Sequence, residues 1–321
     1  MFAKILVPLD RSSLAECVLP HAIALAGCLD AQLMLLHVLS LPARQDRLRA
    51  VDPLEWQLRR AEAESYLQEV CLRVRAAGVP CEAQVRDGDA AEQIVDCARD
   101  LGVGLVIMAS HGQSGLSDWH VSSVVQKVIV RANTSLMIVR AQQPAEAEIA
   151  TMHYRRILVP LDSSARAESV LPLATALARV PNTDVLLTHV VQRPQMPRRT
   201  PPSREDSELA ARLVERNSSE AAQYLELVRS QLPAAAVETR LLIGDHVAGS
   251  LHELVDQEQI DLVLLSAHGY SGRVHWPYGG LVASFIAYSS APLVIFQDAP
   301  VEQAALTQTQ PASAVPNDGR R

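Results

Sequence analysis

Lys4-Ile-Leu-Val-Pro-Leu-Asp10 returns as Arg156-Ile-Leu-Val-Pro-Leu-Asp162, 152 residues later. At the same spacing Ser12 matches Ser164, Val18-Leu-Pro20 matches Val170-Leu-Pro172, and His37-Val38 matches His189-Val190. The spacing widens to 156 at Gly88-Asp89 and Gly244-Asp245, then to 157 at His111-Gly112 and His268-Gly269, as small loop insertions would cause. A chain of 321 residues that repeats itself on this scale must fold as two similar domains.

Within each repeat, short apolar runs alternate with stretches of helical character. In the first, strands are expected at Ile5–Leu9, Gln32–Val38, Cys81–Arg86, Leu105–Ala109 and Ser135–Arg140. Helices fill the gaps. One, capped by Ser12 or Ser13, is expected to run to about Cys28, and others span about Pro53–Ala77, Asp89–Leu101 and Val121–Arg131. The second repeat has strands near Ile157–Leu161, Asp184–Val190, Val237–Ile243, Leu262–Ser266 and Leu293–Phe296. Strand–helix alternation predicts an α/β fold: two doubly wound, Rossmann-like domains in tandem, each a parallel five-stranded sheet. The expected boundaries are 1–141 and 154–298, with a linker at 142–153 and a disordered tail at 299–321. The proline-bearing segment from Gln192 to Arg204 is expected to be a mobile loop near the second site.

Aromatic residues are only 4% of the chain, so the core must be aliphatic, as in sheets covered on both faces. The net charge of −7, with basic residues clustered only at Pro197-Arg-Arg199 and Arg320-Arg321, argues against a nucleic-acid partner. Nor does any run approach the length of a membrane span. Cys17, Cys28, Cys71, Cys81 and Cys97 all lie in the first repeat without a CxxC pair, and they are expected to be unpaired in a reducing compartment. The amino terminus reaches Pro8 and Asp10 too soon for a signal-peptide core, which makes the cytoplasm the expected location.

The stretch with most chemical character also occurs twice, as Val106-Ile-Met-Ala-Ser-His-Gly-Gln-Ser-Gly115 and Val263-Leu-Leu-Ser-Ala-His-Gly-Tyr-Ser-Gly272. A buried strand breaks there into glycines, which permit positive φ and close backbone approach, so that N–H groups can converge on an anion. In open α/β sheets, ligands sit at the carboxyl ends of such strands, where Asp10 and Asp162 also fall, each readable as a turn aspartate or as a cleft carboxylate. Ser110 and His111 adjoin on a strand, so their side chains are expected to point apart and form no nucleophile–base pair. Ser114 and Ser271 lack the spacing of a nucleophile elbow. His111 with His120, or His246, His252, His268 and His275, lack metal-ligand spacing, and no P-loop motif is present.

Taken together, Ile-Leu-Val-Pro-Leu-Asp at both domain starts, the His-Val after each second strand, and Ser-His-Gly or Ala-His-Gly after each fourth resemble a tandem universal stress protein. Nucleotide-binding members of that family carry G-x2-G-x9-G-[ST], whose backbone N–H groups and hydroxyl hold phosphates, with an aspartate and a valine on the adenine side. The resemblance thus implies cofactor contacts at Asp10, Val38, Ala109, His111, Gly112, Gly115, Ser122 and Ser123. In the second copy they fall at Asp162, Val190, Ser266, His268, Gly269, Gly272, Gly279 and Gly280. It implies ATP or AMP as ligand in at least one domain, Mg accompanying ATP, and no structural metal.

Both copies depart from the family pattern. Ala109 and Ser266 replace the first glycine, where a side chain is expected to crowd the ribose or strain the backbone. Ser122 replaces the third, and Gly280 lacks the hydroxyl. Trp276-Pro277 is expected to shorten or redirect the following helix. Resemblance further implies pairing through the last strands, Leu136–Val139 with Leu293–Phe296 or between chains as a homodimer, since unpaired apolar edges are a liability. The reading is a nucleotide-responsive stress module more than an enzyme. A nucleotide-free scaffold, for which Trp119 and Trp276 near the turns speak, and a slow ATPase of the same fold are the alternatives.

Overall fold

In the computed structural model, which describes residues 1–40, 52–112, 121–141, 152–195, 203–232, 237–270 and 278–297, Ile5, Leu6 and Val7 are fully buried. Lys4–Pro8 (β1) is therefore apolar on both faces and lies inside a sheet. The first half continues through Ser13–Glu16 (α1), Leu19–Leu29 (α2), Gln32–Leu39 (β2), Pro53–Ala76 (α3) and Cys81–Asp87 (β3). It closes with Ala90–Asp100 (α4), Leu105–Ala109 (β4), Ser123–Arg131 (α5) and Ser135–Val139 (β5). The second half repeats the order as Arg156–Pro160 (β6), Ala165–Glu168 (α6), Leu171–Leu177 (α7), Asp184–Gln192 (β7), Arg204–Gln231 (α8) and Val237–Gly244 (β8). Val247–Gln257 (α9), Leu262–Ser266 (β9), Gly280–Tyr288 (α10) and Leu293–Phe296 (β10) complete it. Much of the expected linker and the tail from 298 onward lie outside the described residues, as does 196–202 of the proline-bearing segment.

The two parallel five-stranded halves are present as expected, and they join into one ten-stranded sheet in the order β3-β2-β1-β4-β5-β10-β9-β6-β7-β8. Pairing is parallel within each half. At the centre β5 and β10 run antiparallel, with Leu136 opposite Ile295, Met137 opposite Val294 and Ile138 opposite Leu293. The two last strands thus pair within one chain, and neither remains an edge.

Alternation along each strand divides the apolar side chains between two cores. On one face Ile5, Val7, Leu105, Met137, Val294, Leu264 and Ile157 form a cluster with α2, α3 and their second-half counterparts. On the other, Leu6, Val106, Ile138, Leu293, Val263 and Leu158 pack against α4, α5, α9 and α10. Both cores cross the β5–β10 seam. Side chains reinforce it: the Arg140 guanidinium donates to the Ser289 and Ile286 carbonyls at 3.0 and 2.7 Å, completing the end of α10. Phe2 meets Phe296 with ring centroids 5.7 Å apart.

Two expectations are corrected. The helix expected to run from Ser12 to about Cys28 is broken after Glu16, because Pro20 has no N–H to donate and its ring clashes with the carbonyl four residues back. Pro172 breaks the second copy in the same way. Cys71 and Cys81, expected to be free, form a disulfide, while Cys17, Cys28 and Cys97 remain thiols. The turn at Gly78 folds β3 back along α3 and brings the two Cα atoms to 5.6 Å, so the bridge closes a local loop and needs no counterpart in the second half.

His21 on α2 meets the second half directly, its Nδ1 2.9 Å from the Tyr154 hydroxyl. Burial pulls the His21 pKa down to about 4. An unfolded histidine takes up a proton below about pH 6.5, so between these values the unfolded chain binds more protons. Stability from this residue is therefore full above pH 6.5 and declines as pH falls toward 4. The decline should amount to on the order of 3 kcal/mol. Urea unfolding at pH 7.5 and pH 4.5 measures it; the non-titrating His21→Gln should show a shallower decline, and an unchanged slope would exclude His21 as the source.

Candidate functional site

In each half the strand order reverses direction between the first and fourth strands, and the turns that follow them splay apart at the carboxyl edge of the sheet. A cleft of about 630 Å³ opens there in the first half. It lies within the range of roughly 300–1,000 Å³ usual for small-molecule sites. Asp10, Val38, Ala109, His111, Gly112, Ser122 and Ser123 all line it, brought together from β1, β2, β4 and the start of α5. Asp162, Val190, Ser266, His268, Gly269, Gly279 and Gly280 occupy the matching places at the ends of β6, β7 and β9 and the start of α10. Gly115 and Gly272 lie outside the described residues, as do Trp119 and Trp276.

Asp10 performs both of the roles left open for it. Its Oδ1 accepts from the Ser12 backbone N–H at 3.0 Å and from the Ser12 hydroxyl at 2.5 Å, and Ser12 in turn caps α1. Its Oδ2 presses against Gly112 so closely that a Cβ there would collide with the carboxylate. Asp162 repeats this with Ser164 and Gly269, and its Oδ2 also accepts from the Tyr270 N–H at 2.6 Å. Close approach is why glycine stands at 112 and 269, since neither has a positive φ. The residues after the aspartates adopt the left-handed conformation instead, Arg11 at φ 69° and Ser163 at φ 64°. Ala109 and Ser266, expected to strain the backbone, end β4 and β9 in ordinary strand geometry.

The family description "Universal stress protein family" fits the chain twice, at residues 1–140 and 153–297. The chain belongs to the universal stress protein family. It is 32% identical to a universal stress protein of Synechocystis over 153 residues, covering 43% of this chain and 98% of that one. A universal stress protein of Methanocaldococcus jannaschii is 28% identical over 155 residues, covering 44% and 96%. Among solved structures, a universal stress protein from Archaeoglobus fulgidus matches with TM-score 0.65 at 16% identity, over 93% of this chain and 100% of that one. A functionally unknown protein from Pseudomonas aeruginosa matches with TM-score 0.68 at 12% identity, over 96% and 98%. These two share the fold of the whole tandem chain.

The residues that begin α5 and α10 differ between the two domains in their hydrogen bonding. Ser122 is the N-cap of α5: its hydroxyl accepts from the Val125 N–H at 3.3 Å, and its own N–H donates to the Ser110 carbonyl at 2.8 Å. Ser123, the first residue of the helix, is exposed. Gly279 is the N-cap of α10 and keeps the second bond, to the Ala267 carbonyl at 2.9 Å, but supplies no capping side chain. Open space surrounds Gly280. α10 has nine residues, as α5 does, and Trp276-Pro277, expected to shorten or redirect it, lies outside the described residues.

Ser110 and His111 do touch, with Ser110 Oγ 3.0 Å from His111 Nδ1, against the expectation that they diverge. They lie just past the end of β4, where strand alternation no longer applies. The Ser110 hydroxyl also accepts from the Ala141 N–H at 3.1 Å, tying the turn to the end of β5. His37 Nδ1 is 2.8 Å from the Leu9 carbonyl, and burial pushes its pKa down, so the neutral ring donates from Nδ1. The described residues contain no group of three His, Cys, Asp or Glu able to hold a metal. Among the cleft-lining residues that sequence reasoning missed are Trp56, Arg59 and Glu62, which form the contribution of α3 to its wall. The one available signal was an isolated tryptophan at the start of a charged helix.

Gly112→Ala should destabilise the protein by about 1–3 kcal/mol, the usual cost of overpacking. In an Asp10→Ala background the same change should cost much less, because the atom it collides with is gone. Denaturant unfolding of the four proteins in this cycle checks the contact, and additive costs would reject it.

Proposed function

We propose that the first domain binds an adenine nucleotide, ATP or AMP, and that the protein is a nucleotide-responsive module of the cytoplasm. The observation that carries this reading is the convergence of all seven described first-copy positions on one cleft at the sheet's switch point. The cleft suits the group chemically. The start of α5 supplies N–H groups and the exposed Ser123 hydroxyl, a donor set matched to phosphate, beside the close Asp10–Gly112 contact. Apolar Leu36, Val38 and Ile94 supply a wall for the base. A Mg²⁺ ion arriving with ATP would be bound chiefly through the phosphates.

Binding is favoured over hydrolysis by the carboxylates lining the cleft. Asp10 is engaged with Ser12 and Glu62 with Arg11, so neither is placed to activate a water. Isothermal titration calorimetry with AMP and ATP should show one site per chain. Ser123→Ala removes a hydroxyl that α5 does not use for its own cap and should weaken binding about tenfold, as loss of a hydrogen bond to a charged group does. Absence of heat at millimolar AMP and ATP would overturn the proposal.

A further inference from the structure

α3 turns one face inward, and Ala63, Leu67, Val70, Cys71 and Val74 are buried along it. Trp56 lies seven residues before Ala63, which puts it on the same face, two turns nearer the helix start. The core does not extend that far. Trp56 joins neither apolar cluster of the described residues, and the surface it reaches is the wall of the first-domain cleft. No other Phe, Tyr or Trp among the described residues lines that cleft.

The helix that carries this indole is anchored toward both of its ends. At the start, the Asp52 side chain accepts from the Leu54 N–H at 2.9 Å and the Asp52 carbonyl from the Trp56 N–H at 3.0 Å. Further along, Tyr66 donates to Glu16 at 2.9 Å and Arg73 pairs with the same carboxylate. Between them Glu62 holds Arg11, the left-handed residue beside Asp10. Leu36, Val38 and Ile94 are also among the residues that line the cleft. An indole in a cleft that also has aliphatic lining suits a flat apolar group with polar edges.

The second domain does not repeat this arrangement. Tyr224 of α8 donates to Glu168 as Tyr66 of α3 does to Glu16, which sets the register between the two unbroken helices. In that register Trp56 corresponds to Val214 and Arg59 to Asn217, whereas Glu62 is kept as Glu220; at the 152-residue spacing of the domain starts, Arg11 corresponds to Ser163.

We infer that Trp56 is a ligand-contacting residue whose indole stacks on the base of the bound nucleotide, making the first domain selective for an aromatic base and leaving the second without that selectivity. The inference rests on the nucleotide reading above and adds to it a residue and a basis for discrimination. Base stacking on an aromatic side chain is sequence-tolerant, so other nucleoside monophosphates should bind as well, and a sugar phosphate lacking a base should bind poorly.

The test uses the full chain with Trp119→Phe and Trp276→Phe, in which Trp56 is the sole tryptophan. AMP should quench its emission over the concentration range in which calorimetry detects binding, and ribose 5-phosphate should not. Trp56→Ala should weaken AMP binding roughly tenfold or more. It should leave the weak binding of ribose 5-phosphate unchanged, so that discrimination between the two ligands collapses, and Trp56→Phe should retain most of it and control for loss of fold. AMP binding with unaltered emission and unaltered affinity in Trp56→Ala would overturn the inference and leave the nucleotide reading standing. Absence of AMP binding to the unsubstituted chain would overturn both.

Discussion

The first-domain cleft depends on one carboxylate pressed against one glycine. Asp10 leaves the end of β1 with an oxygen on each side of the crevice, one gathering the start of α1 through Ser12 and the other lying against Gly112 beyond β4. These two strands are where the sheet's connections diverge, so the contact closes the base of the opening that the divergence creates. It also accounts for the left-handed residue that follows, since Arg11 must turn the chain sharply for Ser12 to reach back to the aspartate. Asp162, Ser163 and Gly269 reproduce the arrangement with a different residue in the left-handed position, which shows that geometry and not the arginine side chain is common to both domains.

The cleft and its second-domain counterpart positions are carried by a sheet whose interior has no break. Three residue pairs across β5 and β10 join the halves, and the apolar layers above and below run through that joint without interruption. The contacts flanking it are unequal. Arg140 reaches across to finish α10, whereas the residue in the matching place, Gln297, uses its backbone N–H to donate to the Ser135 hydroxyl. Pseudo-symmetry therefore holds for the backbone and fails for the side chains.

Much of the fold was legible because duplication supplied every signal twice. Strand positions followed from apolar runs that burial on both faces requires, and Asp89 marked a helix start that it caps in the structure. What escaped was information that pattern does not carry. The break at Glu16 depended on Pro20 acting through a carbonyl four residues earlier, and the Cys71–Cys81 bridge on how a turn returns β3 along α3. Ser110 and His111 obeyed the strand rule only as far as Ala109, where the strand stops. The candidate site was legible wherever its residues sit in a motif. Trp56 belongs to none, and only the packing of α3 across the sheet brings it to the opening.

Two domains joined within one polypeptide meet at an effective concentration set by the chain and not by the amount of protein, so the seam forms at any dilution. The same joining releases the domains from sameness. In an assembly of two identical chains, any substitution appears on both sides of the axis at once. Here Trp56 and Val214, or Ser123 and Gly280, change separately. One opening can be retuned while its neighbour keeps the shared scaffold intact, and the antiparallel seam is the feature that makes such a division of labour heritable.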